Sequence, residues 1–154
     1  MSHFQTPSEP HWRGIEETDV NEVHSIEARV YGDPWTPKLL LDSLSAPLTH
    51  TLGAFEEGGS CLAYAIYQIV FLESHILNLA VRPESARQGL GSKLLSKVME
   101  HCEREGAKMI YLEVRPSNEA ARALYKKHGF LNVSVRERYY PNGEAAVIMA
   151  RELK

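Results

Sequence analysis

Apolar residues change their spacing several times along this chain, and each change marks an element. Val20, Val23, Ile26 and Val30 recur at three- and four-residue steps behind the capping pair Thr18-Asp19, which predicts an amphipathic helix ending near Tyr31-Gly32. Asp33-Pro34-Trp35-Thr36-Pro37 breaks it, and Pro37 suits the start of a second helix running to about Leu44. Before both, a polar arm over residues 1–11 leads into a short strand at Trp12–Glu16. From Thr49 the texture turns β-rich: Leu52–Phe55, Leu62–Leu72 and Ile76–Val81 form an antiparallel meander, with breaks at Gly58-Gly59 and Glu73-Ser74-His75.

Leu90, Leu94, Leu95, Val98, Met99 and Cys102 then share one helical face, with Gly106 as the stop, and Met109–Val114 is again a strand. Strand, helix and strand in that order imply a right-handed parallel crossover. Pro116-Ser117-Asn118 opens another helix, which buries Ala121, Leu124 and Tyr125 and ends at Gly129. A strand restarts at Phe130, where Leu131, Val133 and Val135 alternate with polar residues, and Asn142-Gly143 turns it into the strand Ala145–Ala150. The predicted fold is α+β: a central mixed, mostly antiparallel sheet of about seven strands with four helices, and one domain over residues 12–154.

Composition narrows the function classes. A chain of 154 residues with 44% hydrophobic and 24% charged residues is ordinary for a globular protein, and a net charge of -3 offers no global positive field for nucleic acid. Cys61 and Cys102 lack CxxC spacing and read as buried thiols in a reducing cytoplasm, and no apolar run suggests a signal peptide or a membrane span. The histidines show no metal-ligand spacing, so no metal is assigned. A monomer or weak dimer is expected.

The candidate chemistry clusters around the crossover. Arg87-Gln88-Gly89-Leu90-Gly91-Ser92 leaves a strand and opens a helix, and glycines at 89 and 91 let backbone N–H groups approach an anion. The same pair serves equally well for close helix packing. Glu113, near the end of its strand, is placed to accept a proton from a ligand, or else to pair with Arg115 on the same side of the strand. Tyr125 is either a core aromatic or a proton donor to a leaving thiolate, and Asn118 either an N-cap or a ligand contact. Tyr139 and Tyr140, beside Trp35, either shape a peptide slot or pack the terminal hairpin.

Taken together, LNLAVRPESARQGLGSKLL and YLEVRPSNEAARALYKKHGF resemble the cofactor and catalytic segments of the GNAT superfamily of N-acetyltransferases. DPWTP and RERYYPNGEAAVIMA extend the resemblance to its bacterial ribosomal-protein alanine acetyltransferases. The resemblance implies acetyl-CoA as co-substrate, its pantetheine arm pairing with the backbone of Leu79, Ala80 and Val81 and its pyrophosphate wrapped by Arg87, Gln88, Gly89, Leu90, Gly91 and Ser92. It makes Asn118 a further cofactor contact, Glu113 the general base and Tyr125 the general acid. The implied acceptor is a protein N-terminus, the alanine of a small-subunit ribosomal protein. Ala86 stands where the superfamily usually has Gln or Arg, which predicts weaker cofactor affinity at most. Acetylation of a lysine or small amine on the same scaffold stays open, as does a non-catalytic acyl-CoA-binding role, against which Glu113, Asn118 and Tyr125 argue.

Overall fold

The computed structural model describes residues 9–154, so residues 1–8 of the expected arm lie outside the described residues. The chain runs β1 (His11–Arg13), α1 (Val20–Val30), α2 (Pro37–Ser45), β2 (Thr49–Phe55), β3 (Cys61–Val70), β4 (Glu73–Val81), α3 (Leu90–Arg104), β5 (Met109–Val114), α4 (Glu119–Lys127), β6 (Leu131–Arg136) and β7 (Ala146–Glu152). The strands form one sheet in the order β1-β2-β3-β4-β5-β7-β6, antiparallel throughout except for the β4–β5 pair. The predicted α+β architecture and its single parallel crossover are thus present.

The caps explain the helix starts. Thr36 accepts a hydrogen bond from Leu39 N–H at 3.1 Å with Pro37 at the first helical position, and Asn118 accepts from Ala121 N–H at 3.2 Å. Asp19 caps differently from the expectation: its carboxylate holds Glu16 N–H at 2.8 Å and the Arg13 guanidinium at 2.7 Å, fastening the short turn that precedes α1.

Two cores lie on opposite faces of the sheet. Leu94, Leu95, Val98 and Cys102 of α3 pack with Ala65, Ile110, Leu112 and Met149. Val23, Ile26 and Leu40, from α1 and α2, pack with Phe55, Tyr64, Ile66 and Ala80. The same β4 therefore faces α3 through Ile76 and Leu79 and α1 through Ala80.

Two expectations fail for identifiable reasons. The apolar run into Leu72 is not all strand: the chain reverses at Phe71-Leu72, with Phe71 at a φ of 53° and 90% exposed. The polar Glu73-Ser74-His75, expected to be that turn, instead pairs with β3 and with Met109, Ile110 and Tyr111 of β5. Backbone pairing on both sides outweighs their polarity, and the buried Ser74 donates to Met109 O at 3.0 Å. In β6 the alternation buries nothing, because the strand is the sheet's edge and a bulge between Asn132 and Ser134 interrupts its register.

Candidate functional site

β4 and β5 pair only from Glu73 to Ile76, against Met109 to Leu112, and then separate. β4 shifts register against β3 between Ile66 and Tyr67, so that Ile66 faces Asn78 while Tyr67 faces Ile76. The extra residue bends β4 away, and a cleft of about 770 Å³ opens between the two strands. Leu79, Glu113, Asn118, Tyr125, Trp35, Tyr139 and Tyr140 all border it, so the structure brings together residues that the sequence spreads over more than a hundred positions.

The β4 wall of the cleft is built from backbone. Arg82 N–H donates to Leu62 O at 2.8 Å, and alternation along the antiparallel β3–β4 pair then turns Ala80 towards Tyr64 of β3. Leu79 and Val81 turn their N–H and C=O groups away from β3 instead; Leu79 borders the cleft and Val81 lies beyond its lining. Of the three residues expected to offer backbone to a cofactor, Ala80 therefore faces the wrong way. Leu79 is also engaged: the Tyr31 hydroxyl donates to its carbonyl at 2.6 Å and accepts from its N–H at 3.3 Å.

Beyond Val81 the turn into α3 takes Arg87 to a φ of 63° and Gly89 to 77°, at the positive end of a fifteen-residue helix whose N-cap Gly89 has no side chain to satisfy the first N–H groups. The two glycines do different work. A Cβ on Gly89 would meet nothing within 4 Å, whereas one on Gly91 would meet Leu124 and Val81, each at 3.4 Å. Gly91 is the packing glycine and Gly89 the one at the open mouth. Leu90 anchors the helix start in the core, Gln88 is exposed, and the Ser92 hydroxyl is bonded to His128 Nε2 at 2.6 Å.

On the opposite wall, the Glu113 side chain is 36% exposed and lies 4.0 Å from the Arg136 guanidinium. Its carboxylate, more than burial, pushes the nearby Tyr139 hydroxyl up from its ordinary range. The expected alternative, pairing with Arg115, does not form. Arg115 lies past the end of β5, where it bonds Asn142 Oδ1 at 3.1 Å, sits 3.6 Å from Glu144 and covers the Tyr140 ring at 3.9 Å. It fastens the β6–β7 loop, whose turn at Tyr140-Pro141-Asn142-Gly143 closes by Gly143 N–H to Tyr140 O at 2.8 Å.

The Tyr125 ring packs against Phe130 in the core, as a core aromatic should, and the residue also borders the cleft. Burial, then the neighbouring Tyr31 and Tyr140, pushes its hydroxyl far above the ordinary tyrosine range, so it stays protonated at any working pH. Burial pushes Tyr140 up to about 12. Asn118 is the N-cap of α4, which uses its Oδ1 and leaves its amide nitrogen without a partner among the described residues. Cys61 is driven by burial up to about 12 and Cys102 is raised for the same reason, so neither supplies a thiolate nucleophile.

Sequence reasoning missed Tyr31, Glu27 and Asn78, which also border the cleft. Glu27 is 1% exposed and accepts from the Tyr64 hydroxyl, from Asn78 Nδ2 at 2.9 Å and from Trp35 N–H at 2.9 Å, tying the segment between α1 and α2 to the sheet. A signal was available: a carboxylate four residues after Val23 on an apolar stripe, and an amide inside the apolar run ILNLAV.

The family profile described as acetyltransferase (GNAT) family matches residues 20–130. The [ribosomal protein bS18]-alanine N-acetyltransferase of Escherichia coli strain K12 is 38% identical over 144 residues, covering 88% of this chain and 93% of that protein. The crystal structure of the ribosomal-protein-S18-alanine N-acetyltransferase from Escherichia coli superposes with a TM-score of 0.85 at 35% identity, over 94% of both chains. The fold is shared with Arabidopsis thaliana NAA60 in complex with acetyl-CoA, at a TM-score of 0.83 and 15% identity over 92% of this chain and 97% of that one. A β4 edge that β5 leaves unpaired, a glycine turn at the start of α3, and a match across most of the chain agree: this protein is an acetyltransferase of the GNAT family.

Proposed function

We propose that the cleft transfers an acetyl group from acetyl-CoA to the N-terminal α-amine of a protein, with the alanine of ribosomal protein bS18 as the acceptor. The carrying observation is the opposition of Glu113 on β5 to the stretch of β4 that β5 leaves unpaired, across one opening. The named activity of the relatives supports the acceptor.

The residues fit the donor. Acetyl-CoA supplies an activated thioester and an anionic pyrophosphate. The N–H groups from Arg87 to Ser92 hold the pyrophosphate over Gly89, where no side chain intrudes, and Val81, with Leu79 once the Tyr31 hydroxyl gives way, offers strand-like pairing to an extended arm. The Val81 N–H also offers a hydrogen bond to the oxygen that gains charge as the amine adds.

Glu113 takes the proton of the attacking amine, directly or through the water its exposed side chain admits. Tyr125 returns a proton to the leaving sulfur. Its raised pKa makes it a weak acid, but the thiolate forms in the same desolvated space, which raises the basicity of the sulfur in parallel. An α-amine (pKa about 7.7 to 8.0) needs roughly 3 to 4 kcal/mol less than a lysine (about 10.4) to lose its proton at neutral pH, which suits a single partly solvated carboxylate.

Steady-state competition between an alanine-headed peptide, Nα-blocked lysine and a polyamine tests the reading. The peptide should be preferred by at least about a hundredfold in kcat/KM, the equivalent of about 2.7 kcal/mol. Equal or reversed preference would remove the N-terminal assignment.

A further inference from the structure

Asn78 stands where β4 bulges away from β5, is 4% exposed and borders the cleft. Its Nδ2 donates to Glu27 Oε1 at 2.9 Å, and Glu27 receives two further donors, the Tyr64 hydroxyl and Trp35 N–H. A carboxylate so surrounded fixes the amide one way round, because only the nitrogen of Asn78 has hydrogens to give it. Oδ1 is turned away from Glu27, is buried, and accepts from no donor among the described residues. A buried acceptor without a donor is rare in native proteins, and at the wall of a binding cleft it implies a donor that arrives with the ligand.

Two ligand groups could bring that hydrogen: an amide of the cofactor's arm or the acceptor's amine. The alternation of β4 favours the amine. Leu79 faces α3, on whose side the anion cradle lies, whereas Asn78 faces α1 and the segment carrying Trp35. Glu113 shares that second face, since His75 of β4 stands beside Tyr111 of β5, their rings stacked at 5.3 Å, and Glu113 follows two residues on.

We infer that Asn78 Oδ1 accepts a hydrogen bond from the acceptor's primary amine and aims its lone pair at the thioester carbonyl. This rests on the N-terminal reading above. The protons balance. Of the two hydrogens on the neutral amine, one is removed by Glu113 as the C–N bond forms, and the other stays on the nitrogen, donated to Asn78 Oδ1, as the product's amide N–H. The C–S bond breaks, and the sulfur takes its proton from Tyr125.

The test uses the full chain and two peptides that differ only at the N-terminus, alanine against N-methylalanine, which has a single amine hydrogen. The wild type should favour alanine strongly. In Asn78→Ala and in Asn78→Ser, which keeps a hydroxyl donor for Glu27 if alanine impairs folding, kcat/KM for the alanine peptide should fall at least tenfold. The preference over N-methylalanine should shrink, with the acetyl-CoA dissociation constant within twofold of wild type. Unchanged peptide kinetics and preference, or a parallel loss of acetyl-CoA affinity, would overturn the assignment. A wild type that acetylates neither peptide would remove the N-terminal reading itself, and this inference with it.

Discussion

The Tyr31 hydroxyl and the Leu79 backbone close on each other twice, at 2.6 Å through the carbonyl and 3.3 Å through the N–H, so a side chain occupies the strand edge on which an extended ligand would pair. Burial first, offset partly by the Leu79 contact, raises the Tyr31 hydroxyl well above its usual range and keeps it a neutral donor. Tyr31→Phe should free that edge. Acetyl-CoA should then bind about fivefold more tightly by calorimetry, the worth of one ordinary hydrogen bond of about 1 kcal/mol, while thermal stability drops by a similar amount.

The two glycines of the cradle should separate binding from stability. Gly89→Asp places a charge at the open mouth and a side chain at a φ of 77°, so acetyl-CoA affinity should fall at least about tenfold, with roughly 1–2 kcal/mol lost from folding. Gly91→Leu should act the other way round. Contacts with Leu124 and Val81 are already at 3.4 Å, so a larger side chain forces α3 away and should cost about 1–3 kcal/mol in denaturant unfolding.

Tyr125→Phe removes the proposed proton donor without emptying the core. Turnover should fall by about 10²-fold or more, with acetyl-CoA binding and the unfolding midpoint close to wild type. A loss of stability that matched the loss of turnover would return Tyr125 to a packing role.

His128 ties the site to pH. Burial, then Lys127 and Arg151, lowers its pKa, and its Nε2 is bonded to Ser92. The folded protein therefore keeps it neutral, while the unfolded chain takes up a proton near the ordinary value of about 6.5. The stability it contributes is present above that pH and is lost as pH falls through the folded pKa. His128→Gln should flatten the decline of the melting temperature between about pH 7 and pH 5. A residual slope should remain from His101, which burial and then His50 also push down.

The fold was readable wherever periodicity and caps agreed, as in α3 with its apolar stripe or α4 behind Asn118. It misled where pairing outweighed composition, as at Glu73-Ser74-His75, which join two strands, and at Phe71, which turns in solvent. In the site, the motif strings named Glu113, Tyr125 and the Arg87–Ser92 turn; Glu113 and Tyr125 border one opening, while the turn lies outside that opening's lining. What the strings could not carry is direction. That Ala80 faces β3, that Gly91 packs while Gly89 lies open, and that Arg115 turns to Asn142 all follow from register and loop closure, which couple residues far apart in the chain. Glu27 and Asn78 were visible as polar residues in apolar runs, but their meaning lies in their contact across 51 positions.

The central claim is that Glu113 activates an N-terminal amine in this cleft, and one measurement meets it most directly. A single peptide carrying a free N-terminal alanine and an internal lysine is incubated with acetyl-CoA and either wild type or Glu113→Gln, and the acetyl group is located and timed by mass spectrometry. The account predicts acetylation at the α-amine alone, slowed by about 10²-fold or more in the variant while its acetyl-CoA affinity is retained. Acetylation at the lysine, or an equal rate in Glu113→Gln, would contradict it.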